Sequence, residues 1–176
     1  MIKMLTESDI RRIIRGTGSY DTVKFGNTVS ITGDGGNAWN YFGPAYKKLA
    51  PRLMTYLLYA DALNDLEKIK NSISIKEYTK RKRKIEFTYI KSYYETRLKD
   101  LDMEDFLKTL ETKFGTDIIF LCHEPVSEFC HRRVLADYIK LQTGVYIPEV
   151  KIMSSDEFTL KTPLNYEQEL KRVMTK

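Results

Sequence analysis

The run Ile118-Ile119-Phe120-Leu121 constrains the fold of this chain more than any other stretch. A half-exposed strand alternates apolar and polar side chains, whereas a strand that is apolar at every position must be covered on both faces. Layers of helix on either side of a sheet give that cover, so the run predicts an α/β architecture. The strand is expected over Asp117 to Cys122. Pro125 interrupts the chain, and apolar spacing resumes as a helix from Phe129 to about Gln142, with Val134, Leu135, Tyr138, Ile139 and Leu141 facing the core and Gly144 ending it.

The remaining elements follow the same rules. Leu5 to Arg15 carries Ile10, Ile13 and Ile14 on one helical face and Arg11, Arg12 and Arg15 on the other, and Gly16, Gly18 and Ser19 are expected to end that helix in a turn. Phe25 to Thr32 reads as a strand with Val29 and Ile31 on one face. Helices are expected from Pro51 to Lys70 (apolar face Leu53, Leu57, Ala60, Leu63), from Ser74 to Lys99 (Ile85, Tyr89, Ile90, Tyr93, Leu98) and from Met103 to Phe114, where Gly115 caps the end. A strand interrupted by Pro148 is expected over Val145 to Ile152, and a short helix over Asn165 to Val173. The aromatic residues Trp39, Tyr41, Phe42 and Tyr46 fit loop and core packing. At 176 residues, without repeat or low-complexity linker, the economical reading is one Rossmann-like three-layer domain over 1–176, with a small mostly parallel sheet and a helical insertion over about 51–114.

Apolar residues at 42% against 30% charged mark a globular chain, and no stretch has the length of a membrane span, so no membrane partner is expected. Met1 to Leu5 runs directly into charged residues, and the expected location is the cytoplasm. There Cys122 and Cys130 are expected as thiols rather than a disulfide. The net charge of +5 is partly concentrated in Lys80, Arg81, Lys82, Arg83 and Lys84. That run fits the solvated face of a long helix, or a weak nucleic-acid contact.

Both cysteines and both histidines fall at 122, 123, 130 and 131, together with Glu124, Arg132 and Arg133. The helix opening near Phe129 aims its N-terminus at the space beyond the strand end, where free N–H groups attract an anion. His131, Arg132 and Arg133 could add charged contacts, Cys130 would be favoured as a thiolate, and Glu124 could act as a general base or orient His131. Upstream, Gly33-Asp34-Gly35-Gly36-Asn37 follows a strand. Gly35 and Gly36 could bring backbone N–H groups to a phosphate, or the segment could be a plain surface turn; no nucleotide-binding glycine fingerprint is present.

The strings Leu121-Cys122-His123-Glu124-Pro125 and Phe129-Cys130-His131-Arg132-Arg133 resemble the Leu-Cys-x-Glu and Cys-His-Arg signature of the bacterial family catalogued as domain of unknown function number 488. Val29-Ser30-Ile31 and Tyr46-Lys47-Lys48-Leu49-Ala50-Pro51 are similar to its earlier strand and Tyr-x-x-Leu-Ala-Pro element, so the resemblance spans about 25–150. It marks Cys122, Glu124, Cys130, His131 and Arg132, with Ser30, Leu49, Ala50 and Pro51 as secondary positions. His123 falls where the family varies, and Gly33 to Trp39 departs from the family's proline-containing stretch.

These residues lead to an expected hydrolase or transferase on a phosphate-bearing nucleotide or nucleic-acid-related substrate. His131, Glu124 and Cys130 would be the catalytic groups, and Arg132, Arg133, Ser30, Gly35 and Gly36 the anion-binding ones. The alternative is a nucleotide-binding or nucleic-acid-binding protein using the same pocket without turnover. A Cys-x5-Arg phosphatase loop is absent, since Glu128 and Ala136 stand where its arginine would be. No cofactor is predicted. Zinc on Cys122, Cys130 and His131 is a weaker alternative, because seven residues separate the cysteines and adjacent Cys-His pairs rarely share an ion. Enclosure of both His131 and Arg132 by protein groups would remove the ligand site.

Overall fold

In the computed structural model, which describes residues 6–38 and 40–175, a three-stranded parallel sheet holds β1 (Ile14–Ser19), β5 (Ile118–Cys122) and β2 (Asn27–Ser30) in the order β1-β5-β2. Between β2 and β5 lie a short hairpin of β3 (Asn37–Ala38) and β4 (Tyr41–Phe42), then the helices α2 (Leu53–Lys68), α3 (Ile75–Tyr93) and α4 (Met103–Phe114). The helix α1 (Glu7–Ile13) precedes the sheet; α5 (His131–Thr143), a hairpin of β6 (Val150–Ile152) and β7 (Glu157–Thr159), and α6 (Glu167–Met174) follow it. This is the α/β class read from the apolar run, with the small parallel sheet and the helical insertion in place. Leu5 and Trp39 lie outside the described residues.

Strand β5 is central, and all five of its residues are buried. Its side chains alternate between two cores. Ile118, Phe120 and Cys122 join the large cluster that includes residues of α1, α3, α4 and α5; Ile119 and Leu121 join a smaller one with Tyr20, Val23, Tyr41, Val150 and Ile152. The two-residue period of a strand is therefore what puts the Cys122 thiol on the same side as α5.

The helix limits follow from local chemistry. Thr6 and Asp9 form a reciprocal capping box on α1, and the side chains of Ser74 and Asp102 accept the N–H groups of Glu77 and Asp105 at the starts of α3 and α4. Gly115 and Gly144, at φ 80° and 77°, end α4 and α5 in backbone conformations that a side chain disfavours. Past Tyr93, the α3 helix widens into a π-type turn over Tyr94–Leu98.

Three expectations need correction. Residues 14–19 form a strand, not a helix end and turn. The glycines in it serve close packing: a Cβ on Gly18 would lie 2.4 Å from Val23 Cγ2 and 3.1 Å from the Val150 carbonyl oxygen, and one on Gly16 would lie 2.8 Å from the Pro148 carbonyl oxygen. The chain at 148–152 passes alongside β1 through those gaps, with Thr17 N donating to Pro148 O at 2.9 Å. Gly18→Ala is accordingly expected to cost about 1–3 kcal/mol through overpacking. For a chain of this length that is several degrees of Tm, at about 2–4 °C per kcal/mol; an unchanged thermal transition would contradict this packing.

The second correction concerns α2. Leu53, Met54, Leu57 and Leu58 are exposed, and the buried residues are Thr55 and Leu66. Apolar residues surround much of this helix, so spacing alone could not select the face that meets α3. The third is at 145–152, where only Val150–Ile152 is strand and β7 is its unexpected antiparallel partner.

Candidate functional site

The carboxyl ends of the three parallel strands converge on the loop 123–130 and the first turn of α5. Cys130 is the N-cap of α5, in extended conformation (φ −152°, ψ 140°), and His131 is the first helical residue. This change of backbone direction lets two adjacent side chains reach the same place. The Cys122 sulfur lies 3.4 Å from His131 Nδ1 and the Cys130 sulfur 4.0 Å from it. His131 Nε2 is 2.8 Å from the Ile31 carbonyl oxygen, which can only accept, so Nε2 carries a proton; the Cys122 sulfur is also 3.4 Å from Nε2.

Glu124 completes the group. Its Oε2 is 3.0 Å from the Cys130 sulfur and its Oε1 is 3.2 Å from His123 Nε2. Burial, reinforced by the charge of Cys130, pushes the Glu124 carboxyl up to about 8. Burial likewise holds the Cys122 thiol well above its ordinary range. Burial works in the same direction on Cys130, but the hydrogen bond with Cys122, the Arg132 guanidinium and His131 outweigh it and bring Cys130 well down. Burial would depress His131, yet its contacts with Cys130 and Glu124 raise it.

Glu124 and His131 lie on the wall of a pocket of about 430 Å³, with His123, Thr32, Gly33, Asp34, Pro51, Leu53, Tyr56 and Tyr89. This volume is within the range of small-molecule sites, and the C-terminal edge of a parallel sheet is where open α/β folds place them. The Leu49-Ala50-Pro51 segment is fixed there by the helical insertion: Tyr93 OH donates to Leu49 O at 2.6 Å, and Arg97 Nε donates to Ala50 O at 2.7 Å. Above the loop, Phe129 packs edge-on against Tyr89 and Tyr166.

Other expected site residues are placed elsewhere. Arg132 and Arg133 are buried and fully engaged. Arg132 donates from Nε to Glu149 Oε1 at 2.9 Å and from Nη1 to the Glu124 carbonyl oxygen at 2.9 Å, while Arg133 Nη1 donates to Thr17 Oγ1 and Ile147 O, both at 3.0 Å. The anion that balances this basic helix start is thus internal, supplied by Glu149, and neither guanidinium is offered to a ligand. Of the pair whose joint enclosure would remove the ligand site, Arg132 is fully enclosed and His131 nearly so, at 4% exposure with both ring nitrogens held by protein groups, although His131 borders the pocket.

Ser30 is also turned away. Strand alternation that sends Val29 and Ile31 into the large core sends Ser30 to the opposite face, where its hydroxyl bonds Tyr20 OH at 2.7 Å and Thr32 Oγ1 at 3.2 Å. Gly35 and Gly36 belong to a turn that packs on its neighbours: a Cβ on Gly35 would meet the Lys47 side chain, and Gly43 N donates to Gly36 O at 2.9 Å. Only Gly33 and Asp34 of that segment reach the pocket. Lys80, Arg81, Lys82, Arg83 and Lys84 lie along α3, none on the pocket wall, and Arg81 pairs with Glu77 at 2.7 Å.

Reading the sequence missed Glu149, Tyr56 and Asp34. For Glu149 a signal existed: it is the one carboxylate within the mostly apolar run Val145 to Ile152, and such a charge, where buried, needs a partner. For Tyr56 and Asp34 only the fold brings the segments together.

Fold and geometry together define the class: an α/β protein with a thiol, imidazole and carboxyl group clustered at the carboxyl edge of a parallel sheet. The chain resembles the family described as Domain of unknown function DUF488, whose model matches residues 54–139, from α2 through most of α5. That span contains Cys122, Glu124, Cys130, His131 and Arg132; Ser30 and the Tyr46 to Pro51 element lie outside it. No curated protein and no solved structure matches the chain. Among the described residues, no helix is long and apolar enough to cross a membrane.

Proposed function

We propose that this protein is an enzyme of hydrolase or transferase type, acting on a nucleotide-type substrate whose base or sugar, rather than its phosphate, enters the pocket. One observation carries the reading. Glu124 lines the pocket while Cys130 and His123 hold its carboxyl from either side, at 3.0 and 3.2 Å. A carboxyl oriented in this way, next to an imidazole, can pass a proton to or from a bound molecule. Tyr56 and Tyr89 offer aromatic surface to a planar ring.

The charge of the wall supports entry of the base or sugar end. Asp34 and Glu124 line it and, among the described residues, no Lys or Arg does. A phosphate therefore belongs at the rim, where Arg52 stands between two wall residues, Pro51 and Leu53, and Lys47 covers the turn next to Asp34. Incubation with a panel of nucleotides, nucleosides and short oligonucleotides, followed by mass spectrometry, tests the proposal. Product is expected from the unaltered protein, with Glu124→Gln slower by at least about a hundredfold, the lower range for general acid–base catalysis. A ligand retained without product would favour a binding protein instead, and product formed equally by Glu124→Gln would remove the role given to this carboxyl.

A further inference from the structure

We propose that Cys122, Cys130 and His131 form a zinc-type metal site with three protein ligands and a fourth position that opens toward the pocket. Their ligand atoms all lie within 4.8 Å of one another. Tetrahedral zinc with bonds of about 2.3 Å to sulfur and about 2.0 Å to nitrogen separates its ligands by roughly 3.5–3.8 Å. The sulfur–Nδ1 distances, 3.4 Å from Cys122 and 4.0 Å from Cys130, lie either side of that range, and the Cys122 sulfur is also 3.4 Å from Nε2. The three groups are spaced as ligands around a common centre.

The histidine supplies an independent observation. A metal-bound imidazole typically donates its other N–H to a carbonyl or carboxylate, which fixes the tautomer and aims the lone pair. His131 does this through Nε2 and Ile31 O at 2.8 Å, which leaves the Nδ1 lone pair available, with the Cys130 sulfur 4.0 Å from Nδ1 and the Cys122 sulfur 3.4 Å from both ring nitrogens. The Tyr93 ring packs edge-on against the imidazole, with centroids 5.5 Å apart, and limits its rotation.

The two objections raised by spacing are answered by the backbone. Seven intervening residues are spanned because β5 ends where α5 begins, so the loop 123–130 folds back on itself. The adjacent Cys130 and His131 both reach the centre because one is an extended N-cap and the other the first helical residue. His123, the other histidine of the cluster, is directed to Glu124 and is not part of the trio.

Sulfur-rich ligation selects zinc or copper(I) over magnesium and calcium. Three ligands, rather than four, are the pattern of catalytic zinc, in which the remaining position takes water or substrate. Of the three ligands His131 borders the pocket, as does Glu124, whose Oε2 is 3.0 Å from the Cys130 sulfur, so we place that position on the Glu124 side. Loading the ion replaces the thiol protons, which leave to solvent.

The site stands on geometry alone and does not require the enzyme reading. The test uses the full chain, with metal removed by chelation under reducing conditions and then titrated with Zn2+ and, separately, Co2+. One ion per chain is expected, and the Co2+ form should show a thiolate-to-cobalt charge-transfer band in the near ultraviolet and tetrahedral d–d bands in the visible. Cys122→Ser, Cys130→Ser and His131→Ala should each weaken binding by at least about a hundredfold, as loss of a direct ligand must exceed the 10–100-fold effects of outer partners. Glu124→Gln should still bind one ion, which separates failure of this site from failure of the proton-transfer role. Absence of stoichiometric binding by the reduced, folded chain would overturn the site, as would unchanged affinity in His131→Ala. If the variants do not fold, X-ray absorption of the zinc-loaded chain decides: two sulfurs and one imidazole nitrogen support the site, and any shell without sulfur overturns it.

Discussion

Glu149→Ala is expected to destabilise the protein by about 3–5 kcal/mol, the usual consequence of removing one partner from a buried ion pair. Glu149 is 1% exposed and serves both arginines of the α5 start. Its Oε1 is 2.9 Å from Arg132 Nε and from Arg132 Nη2, while its Oε2 lies 3.8 Å from Arg133 Nη1 and accepts the hydroxyl hydrogen bond of Thr17. Arg132 and Arg133 are themselves among the largest fully enclosed side chains. Without the carboxylate, two guanidinium charges remain in a space that water does not reach, beside the N-terminal end of a helix that already disfavours cations. Since a domain of this kind has only about 5–15 kcal/mol in total, much of its stability would be lost. Urea unfolding followed by tryptophan fluorescence or far-UV circular dichroism measures the effect. A loss below about 1 kcal/mol would mean that the arginines are balanced in some other way.

The second large effect depends on pH. Asp137, within α5, accepts the N–H of Tyr166 at 2.6 Å and so ties α6 to α5, with Arg133 3.8 Å away. Burial raises its carboxyl from the ordinary 3.8 to about 6, although the Tyr166 N–H and Arg133 pull in the opposite direction. The folded state therefore holds this proton more tightly than the unfolded state. Its contribution to stability is complete below about pH 4 and is lost as the pH rises through about 6. At 1.36 kcal/mol for each unit, the change is on the order of 2–3 kcal/mol. Asn at position 137 keeps an acceptor for the Tyr166 N–H and has no proton to lose. Stability of Asp137→Asn relative to the unaltered protein should accordingly increase by that amount between pH 4 and pH 7. A difference between the two proteins that stays constant over this range would show that Asp137 ionises as easily folded as unfolded.

Much of the site's location was legible in the chain. A fully apolar strand followed by a proline break and a helix start identifies a strand end that meets a helix N-terminus, and Cys122, Glu124, Cys130 and His131 are indeed grouped there. What spacing could not supply was the direction of each side chain. Arg132 and Arg133 read as anion ligands because basic residues in a first turn call for a negative partner, but Glu149 is that partner and approaches from a segment 16 residues further on than Arg133. Ser30 could have been set aside from the pattern itself, since a strand that buries Val29 and Ile31 on one face must direct Ser30 to the other. The strand 14–19 was hidden for the opposite reason: Gly16 and Gly18 are turn residues by composition, and only the passage of 148–152 alongside them explains their presence in a sheet.

The sequence by itself determined the α/β class, the central strand and the place where chemistry-bearing residues gather, because burial on both faces and helix starts are local, periodic properties. Only the tertiary structure decided which of those residues line the pocket. That choice depends on contacts between distant segments: Glu149 withdraws the two arginines, Ile31 aims the His131 ring, and the Pro51 and Tyr56 region closes a wall opposite Glu124. No period or spacing along one chain encodes such pairings, because each is set by the way separate elements pack around the sheet.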